Sequence, residues 1–125
     1  MNNNKILIIE DEMSINDALS FFLENSGYNC TSVYNGVDAL ELLYRGTYFD
    51  LVLCDINLPD ILGYEIFNVV KKSRGYDKTI FIFLTAYADD KFKEIGLSLG
   101  ANAYITKPFS NKHLIYVISE RFRSS

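Results

Sequence analysis

Several polar residues in this sequence stand directly after short apolar runs, where a buried strand would leave a sheet. These residues are Glu10, Asp11, Asp55, Thr85 and Lys107. Asp55 has the most demanding position, because it follows the largely apolar run Phe49 to Cys54. An ionised carboxylate that is buried without a partner strongly destabilises a protein, so Asp55 needs partners nearby. We therefore expect the other four residues to meet Asp55 at one edge of a sheet.

The chemistry predicted for this edge is magnesium-assisted phosphoryl transfer. Three carboxylates brought together repel one another, and a hard divalent cation bound through oxygen relieves the repulsion. Mg²⁺ fits best, because it takes few protein ligands, keeps several waters and commonly completes its octahedron with phosphate oxygen. Lys107 adds a positive charge and Thr85 a hydroxyl donor, and both suit a phosphoryl group. An aspartate such as Asp55 can then attack phosphorus and form an aspartyl phosphate.

The elements that must position these residues follow a repeating pattern. Short apolar runs occur near residues 5–9, 28–33, 49–54, 79–84 and 103–106. They alternate with segments whose apolar residues recur at helical spacing, which is typical of repeated βα units. Strands that are apolar on both faces predict a parallel sheet covered on both sides by helices. The functional crevice of such a sheet lies beyond the carboxyl ends of its strands, where the five polar residues fall.

The helical segments are predicted from apolar stripes and capping residues. The stripes are Ile15, Leu19, Phe22 and Leu23; Val37, Leu40 and Leu43; Ile66, Phe67 and Val70; Phe92, Ile95 and Leu99; and Leu114, Val117 and Ile118. Asp11 or Ser14 is expected to cap the first helix, and Asn35–Gly36 to open the second. Gly27 is expected to end the first helix.

Composition excludes several classes of function. A chain of 125 residues fits one ordinary domain. Its net charge of −4 and pI of about 4.9 argue against a nucleic-acid surface. No run approaches the roughly 18 apolar residues of a membrane helix, so we expect a soluble, cytoplasmic protein. Cys30 and Cys54 lie in apolar runs and are predicted to be buried free thiols.

The order and spacing of the polar residues match a known pattern. Glu10-Asp11, Asp55, Thr85-Ala86 and Lys107-Pro108 together resemble the receiver domain of bacterial two-component response regulators. The resemblance covers the whole chain. It implies a flavodoxin-like α/β fold with a single five-stranded parallel sheet of order 2-1-3-4-5 and five helices on both faces. Residues 1–125 would form one receiver domain, either alone or at the N-terminus of a longer regulator.

The resemblance also implies a role for each site residue. Asp55 would be the phosphoacceptor. The implied ligands of Mg²⁺ are Asp11 and Asp55 directly, the Asn57 backbone carbonyl, and Glu10 through water. Thr85 and the Ala86 backbone amide would donate to the bound phosphoryl group, and Lys107 would pair with it.

Two further features are implied at the end of the chain. Tyr104 occupies the place of the family's switch aromatic, whose ring turns inward when Thr85 is drawn to the phosphate. The Lys107–Pro108 peptide is implied to be cis, which only an X-Pro bond adopts at low cost.

The partners are predicted from the same resemblance. His113 is the only histidine and falls on the last predicted helix, so the phosphoryl donor is expected to be a sensor histidine kinase. The predicted output is transcriptional control through an effector domain, with protein–protein contact by a stand-alone receiver as the alternative. Neither direct nucleic-acid binding nor membrane association is expected of this domain.

A homodimer is possible through the face formed by the fourth helix, fifth strand and fifth helix. Asn102, His113 and Val117 stand where many DNA-binding members carry charged residues. We therefore expect weaker or differently built dimerisation, with Tyr104, Tyr116 and Val117 supplying apolar surface.

Other positions depart from the pattern or lie beside the site. Leu62 replaces the small polar residue common before the glycine of this loop, and it puts an apolar group at the rim. Tyr87 and Asn57 should flank the path of water, so we expect both to set the lifetime of the aspartyl phosphate. Phe21 lies off the first apolar stripe and could dock a kinase helix or pack on a loop.

Three other functions are compatible with parts of this pattern. A haloacid-dehalogenase-like phosphatase also forms an aspartyl phosphate, but it places the nucleophile after the first strand and usually carries a cap domain. A flavodoxin-like cofactor binder is disfavoured because the acidic loop after Ile9 would repel a cofactor phosphate. A degenerate receiver that acts only as a binding module is disfavoured because the site is complete.

Overall fold

A computed structural model describes residues 4–86 and 100–124 of the chain. Its strands are β1 (Lys5–Ile9), β2 (Asn29–Val33), β3 (Leu51–Asp55), β4 (Ile80–Thr85) and β5 (Ala103–Thr106). Its helices are α1 (Met13–Asn25), α2 (Gly36–Tyr44), α3 (Gly63–Lys72), a short 3-10 turn (Arg74–Tyr76) and a C-terminal helix (Asn111–Ser124). The helix predicted around Phe92, Ile95 and Leu99 lies outside the described residues, and so does Tyr87.

The strands form one parallel sheet in the order β2-β1-β3-β4-β5, as predicted. All residues of β3 and β4 are buried, which explains their continuous apolar sequences. The strand order reverses between β1 and β3, and the crevice of such a sheet lies at that point. Because Ile9 pairs with Cys54, the residue that follows each of them comes to the same edge.

The core has two layers, one on each face of the sheet. The layer under α2 and α3 is rich in aromatic rings, with Phe67, Phe81 and Phe83 in mutual contact. The layer under α1 and the C-terminal helix is mainly aliphatic and includes Ile8, Leu53 and their neighbours. Burial of each such side chain contributes on the order of 1.5–3 kcal/mol, so the strands that carry the site have firm support.

Helix α1 confirms the predicted stripe but not the predicted cap. Leu19 and Leu23 are buried, and Gly27 follows the helix with a positive φ of 99°. The cap is Glu12, not Asp11 or Ser14, and its side chain makes no capping hydrogen bond. The Glu12 N–H instead donates to the carboxylate of Glu10, so the buried acid closes the turn into the helix.

Helix α2 begins as predicted but faces the core differently. Asn35 caps it by accepting a hydrogen bond from the Asp38 N–H at 2.8 Å. Val37, predicted to face the core, is 58% exposed, whereas Ala39 and Leu43 are buried. The buried face starts at Gly36, and a residue one position along a helix points about 100° away from it.

No helix in the described ranges, 4–86 and 100–124, has the length and apolar character needed to cross a membrane.

Candidate functional site

Glu10 sits at the carboxyl end of β1 and is completely buried. Its carboxylate accepts a hydrogen bond from the Glu12 N–H at 3.0 Å and another from the Lys107 ammonium. Burial raises the pKa of Glu10, and the nearby Asp55 raises it further, whereas the bonds from Lys107 and Glu12 act in the opposite direction. The pKa of Glu10 is raised overall, because the two donors offset only part of the effect of burial.

Asp55 ends β3 and is only 7% exposed. One carboxylate oxygen, Oδ1, accepts a hydrogen bond from the Asn57 N–H at 3.0 Å. The other, Oδ2, lies 3.0 Å from the Lys107 ammonium nitrogen. The partners predicted for Asp55 from the cost of its burial are thus present.

Lys107 reaches the site from the loop that follows β5. Its backbone N–H donates to the carbonyl of Thr85 at 2.7 Å, which joins the ends of β4 and β5. Partial burial disfavours the charged amine, but the bonds to Glu10 and Asp55 outweigh that effect and raise the pKa of Lys107. The Lys107–Pro108 peptide is cis, as the resemblance implied.

The acidic residues form a cluster suited to a divalent cation. Glu10, Asp11 and Asp55 each present a carboxylate oxygen, and these oxygens all lie within 4.8 Å of one another. Three carboxylates beside the single ammonium of Lys107 leave an excess of two negative charges. The donors are hard oxygen atoms, and Asp11 is exposed to solvent, so the set fits Mg²⁺ with bound waters.

Thr85 and Ala86, predicted to donate hydrogen bonds to a phosphoryl group, lie at the same edge of the sheet, and Tyr104, the predicted switch aromatic, lies on the neighbouring strand β5. Thr85 is fully buried at the end of β4, and Ala86 beside it is exposed. Tyr104 is half-buried on β5, where it pairs in register with Phe83. The rings of Phe83 and Tyr104 are tilted at 39°, with 5.2 Å between their centroids.

A family model for the response regulator receiver domain matches residues 6–119 of this chain. The chain belongs to the response regulator receiver domain family. This confirms the resemblance and the fold class inferred from the sequence.

Solved receiver domains superpose on nearly the whole chain. The chemotaxis response regulator CheY4 of Vibrio cholerae is 27% identical, with a TM-score of 0.88 over 96% of this chain and 99% of that one. The non-phosphorylated HemR receiver domain from Leptospira biflexa is 31% identical, with a TM-score of 0.84 over 95% and 94% of the two chains. The BeF3-activated DrrB receiver domain is 30% identical, with a TM-score of 0.86 over 98% and 99%.

Asn16 supports the site of this receiver domain, and the sequence reasoning missed it. It is completely buried on α1, and its side-chain amide donates to the carbonyls of Glu10 at 3.0 Å and Val33 at 2.9 Å. These two bonds tie the ends of β1 and β2 to the helix. A signal existed, because Asn16 shares a helical face with Leu19 and Leu23 and is therefore a polar residue on an apolar stripe.

Gly63 allows the start of helix α3 to contact the strand end that carries Asp55. A Cβ at this position would lie 2.5 Å from the carbonyl oxygen of Asp55 and 3.0 Å from the Cα of Ile56. The Gly63 N–H donates to the Ile56 carbonyl at 2.7 Å, so helix α3 begins in contact with the end of β3. Only a residue without a side chain allows this approach.

Asp60 links the loop after β3 to helix α2. Its carboxylate accepts hydrogen bonds from the N–H groups of Gly36 at 2.9 Å and Val37 at 2.8 Å. Slight burial opposes ionisation, but the hydrogen bonds from four backbone N–H groups outweigh it and lower the pKa of Asp60. Asp60 thus acts as a distant cap of α2 and holds the loop that contains Asn57.

Leu62 is 51% exposed at the rim, in the apolar role predicted for it. It is also the cap residue of α3, although its side chain has no atom that can accept a hydrogen bond. Glu65 supports this turn instead, because its carboxylate accepts from the Leu62 N–H at 3.3 Å.

The proposed dimer face is described only in part. Asn102 is used within the domain, where its side-chain oxygen accepts from the Phe81 N–H at 2.8 Å. Tyr116 is 63% exposed and His113 is exposed, whereas Val117 is half-buried.

Phe21, on α1, is 71% exposed, which confirms that it lies off the apolar stripe of that helix.

Both cysteines are free thiols, as predicted. Cys54 is fully buried beside Asp55, and this burial raises the pKa of its thiol well above the ordinary value. Cys30 is only partly buried, which differs from the prediction, and desolvation still raises its pKa to about 12. Both shifts disfavour the thiolate, which is the nucleophilic form of cysteine.

Proposed function

We propose that this receiver domain takes a phosphoryl group onto Asp55 in a Mg²⁺-dependent reaction. One observation carries the proposal: a buried aspartate, its lysine partner at 3.0 Å and three clustered carboxylates share one edge of the sheet. A carboxylate of this kind with a positive neighbour is a suitable nucleophile for phosphorus. Beryllofluoride activation of the related DrrB receiver domain supports the same chemistry.

Asn57, Asp55 and Lys107 have separate roles in the proposed transfer. Asn57 holds Oδ1 of Asp55 through its N–H, and we assign Oδ2, the oxygen next to Lys107, as the attacking atom. The phosphorus–nitrogen bond of a phosphohistidine donor breaks as the phosphorus–oxygen bond to Asp55 forms, and the electron pair leaves with the imidazole nitrogen. Lys107 already contacts Oδ2, so its charge can stabilise a phosphoryl group attached there.

The cation would be held by Asp11, Asp55 and the Asn57 carbonyl, with Glu10 acting through water. When bound, Mg²⁺ supplies positive charge that offsets the carboxylates and the incoming phosphoryl oxygens. Thr85 and the Ala86 amide would donate to the phosphoryl group. Movement of Thr85 towards it would then favour an inward ring at Tyr104 and alter the outer face.

The phosphoryl donor in this proposal is a cytoplasmic sensor histidine kinase. The output is transcriptional control through an effector domain, and protein–protein contact by a stand-alone receiver is the alternative. A turnover phosphatase is disfavoured because the candidate nucleophile ends β3 rather than β1. Failure of the protein to hydrolyse a generic phosphate ester would support the signalling role.

The test is phosphorylation by acetyl phosphate with Mg²⁺, followed by intact-protein mass spectrometry. The wild type should gain one phosphoryl group, and Asp55→Asn should gain none. Asp50→Asn is the control, since Asp50 is half-buried but lies before β3, where its carboxylate accepts a hydrogen bond from the Lys5 N–H at 2.7 Å. An adduct on Asp55→Asn, or equal labelling in the presence of a chelator, would contradict the proposal.

A further inference from the structure

Two tyrosines meet beside the switch position of this domain. Tyr64, in the first turn of α3, and Tyr104, on β5, are both half-buried, and their hydroxyl oxygens lie 3.2 Å apart. Phe83 of β4 contacts both rings, with centroid distances of 5.2 Å in each case. Either hydroxyl can donate to the other, so the pair forms a hydrogen bond over a shared aromatic surface.

The position of Tyr64 is set by the backbone contact beneath Asp55. The preceding residue, Gly63, donates to the Ile56 carbonyl at 2.7 Å, and its Cα lies too close to Asp55 to carry a side chain. Tyr64 is therefore one residue from a tight contact with the end of β3. If that strand end moves, the contact at Gly63 can transmit the movement through the first turn of α3 to the Tyr64 hydroxyl.

The position of Tyr104 is set by the sheet. Tyr104 pairs in parallel register with Phe83, so their side chains point to the same face and their rings lie against each other. An outward turn of the Tyr104 ring would give up the contact with Phe83 and the hydrogen bond to Tyr64. The orientation observed here is thus stabilised by a partner on α3.

We propose that Tyr64 is a positioning residue for the switch, because its hydroxyl holds the Tyr104 ring in the packed orientation. This inference rests on the proposed function and adds a second structural route between Asp55 and Tyr104. Asp55 is coupled to Tyr104 through α3 and Tyr64, in addition to the route through Thr85. Because coupling is reciprocal, whatever favours the packed ring also favours the bound phosphoryl group.

The size of the effect follows from the nature of the contact. A neutral hydrogen bond of this kind changes a two-state equilibrium on the order of two- to tenfold. Tyr64→Phe removes only the hydroxyl and leaves the ring against Phe83. It is therefore expected to lower the affinity for beryllofluoride, in the presence of Mg²⁺, by about two- to tenfold.

The experiment compares Tyr64→Phe, Tyr104→Phe and the double variant, with Tyr44→Phe as control. Tyr44 is 72% exposed on α2, so its hydroxyl should matter to neither measurement. Beryllofluoride affinity is measured by titration, and the Tyr104 ring is followed by NMR with labelled tyrosine, assigned from Tyr104→Phe. Thermal unfolding of each variant confirms that it is folded.

If the two hydroxyls act as a pair, each single variant weakens binding and the double variant is no weaker than Tyr104→Phe. The Tyr104 ring resonances should also move in Tyr64→Phe without any ligand. Additive losses in the double variant, or unchanged Tyr104 resonances, would overturn the inference. The ligand-free resonances are independent of the proposed function, so a wild type that binds no beryllofluoride would contradict that function alone.

Discussion

Gly63→Ala provides the sharpest test of how the fold supports the site. The added Cβ would lie 2.5 Å from the Asp55 carbonyl oxygen and 3.0 Å from the Ile56 Cα. Both neighbours are backbone atoms, so relief requires α3 to move away from β3. Such overpacking costs about 1–3 kcal/mol, and the better helix propensity of alanine returns less than about 1 kcal/mol.

The expected net loss of unfolding free energy is about 1–2 kcal/mol, which lowers Tm by roughly 4–8 °C for a domain of this size. The same displacement moves the backbone at Asp55, so phosphorylation by acetyl phosphate should also slow. Urea denaturation and the rate of adduct formation measure the two effects. The phosphorylation rate separates damage at the site from a general loss of stability.

Gly75→Ala is the matched control. Gly75 lies in the 3-10 turn, and a Cβ there would meet no atom within 4 Å. Its substitution is expected to leave stability unchanged or raise it by up to about 1 kcal/mol. If Gly63→Ala were as stable as Gly75→Ala and reacted at the wild-type rate, the argument for a tight contact beneath Asp55 would be wrong.

Two further predictions concern residues that the sequence reasoning did not identify. Asp60→Asn should cost about 0.5–1 kcal/mol at neutral pH, because the ionised carboxylate caps α2 at Gly36 and Val37. Since the pKa of Asp60 is lowered by folding, its contribution is present above the unfolded pKa and is lost as pH falls through the folded pKa. The difference between wild type and variant in urea denaturation should therefore shrink in acid, and a constant difference would contradict the assignment. Asn16→Ala removes a donor from two carbonyls, but the Val33 carbonyl keeps the Glu10 N–H at 3.3 Å. The cost should therefore be on the order of 1 kcal/mol, the low end of the usual range, since the Asn16 Oδ1 also has no partner among the described residues. Unchanged unfolding free energy in that variant would show that the two carbonyls find other donors.

Much of the fold could be read from the sequence because its signals are local. Buried parallel strands are apolar at every position, so runs such as 51–54 and 80–84 identify β3 and β4. Their polar successors fall at one edge because all the strands run in the same direction. The convergence of Glu10, Asp55 and Lys107 follows from these two facts and is confirmed by their contacts.

Details that depend on neighbouring elements were less predictable. The predicted α1 cap, Asp11 or Ser14, was wrong because the buried Glu10 carboxylate closes the turn into that helix and no capping side chain does so. The prediction that Val37 faces the core was wrong because the face of α2 that meets the sheet begins at Gly36. In both cases, several phases of the helical pattern were acceptable, and packing selected one of them.

The sequence by itself determined the composition of the candidate site: which acids, hydroxyl and ammonium follow which strands, and therefore which groups reach this edge of the sheet. Tertiary structure alone decided how that edge is supported, through the bond from Asp60 to the start of α2, the contact of Gly63 with Asp55, and the bond between Tyr64 and Tyr104. The physical reason lies in sequence separation. Periodicity and strand-end position are properties of consecutive residues, whereas these contacts join residues that only the order of the strands and the packing of the helices bring together.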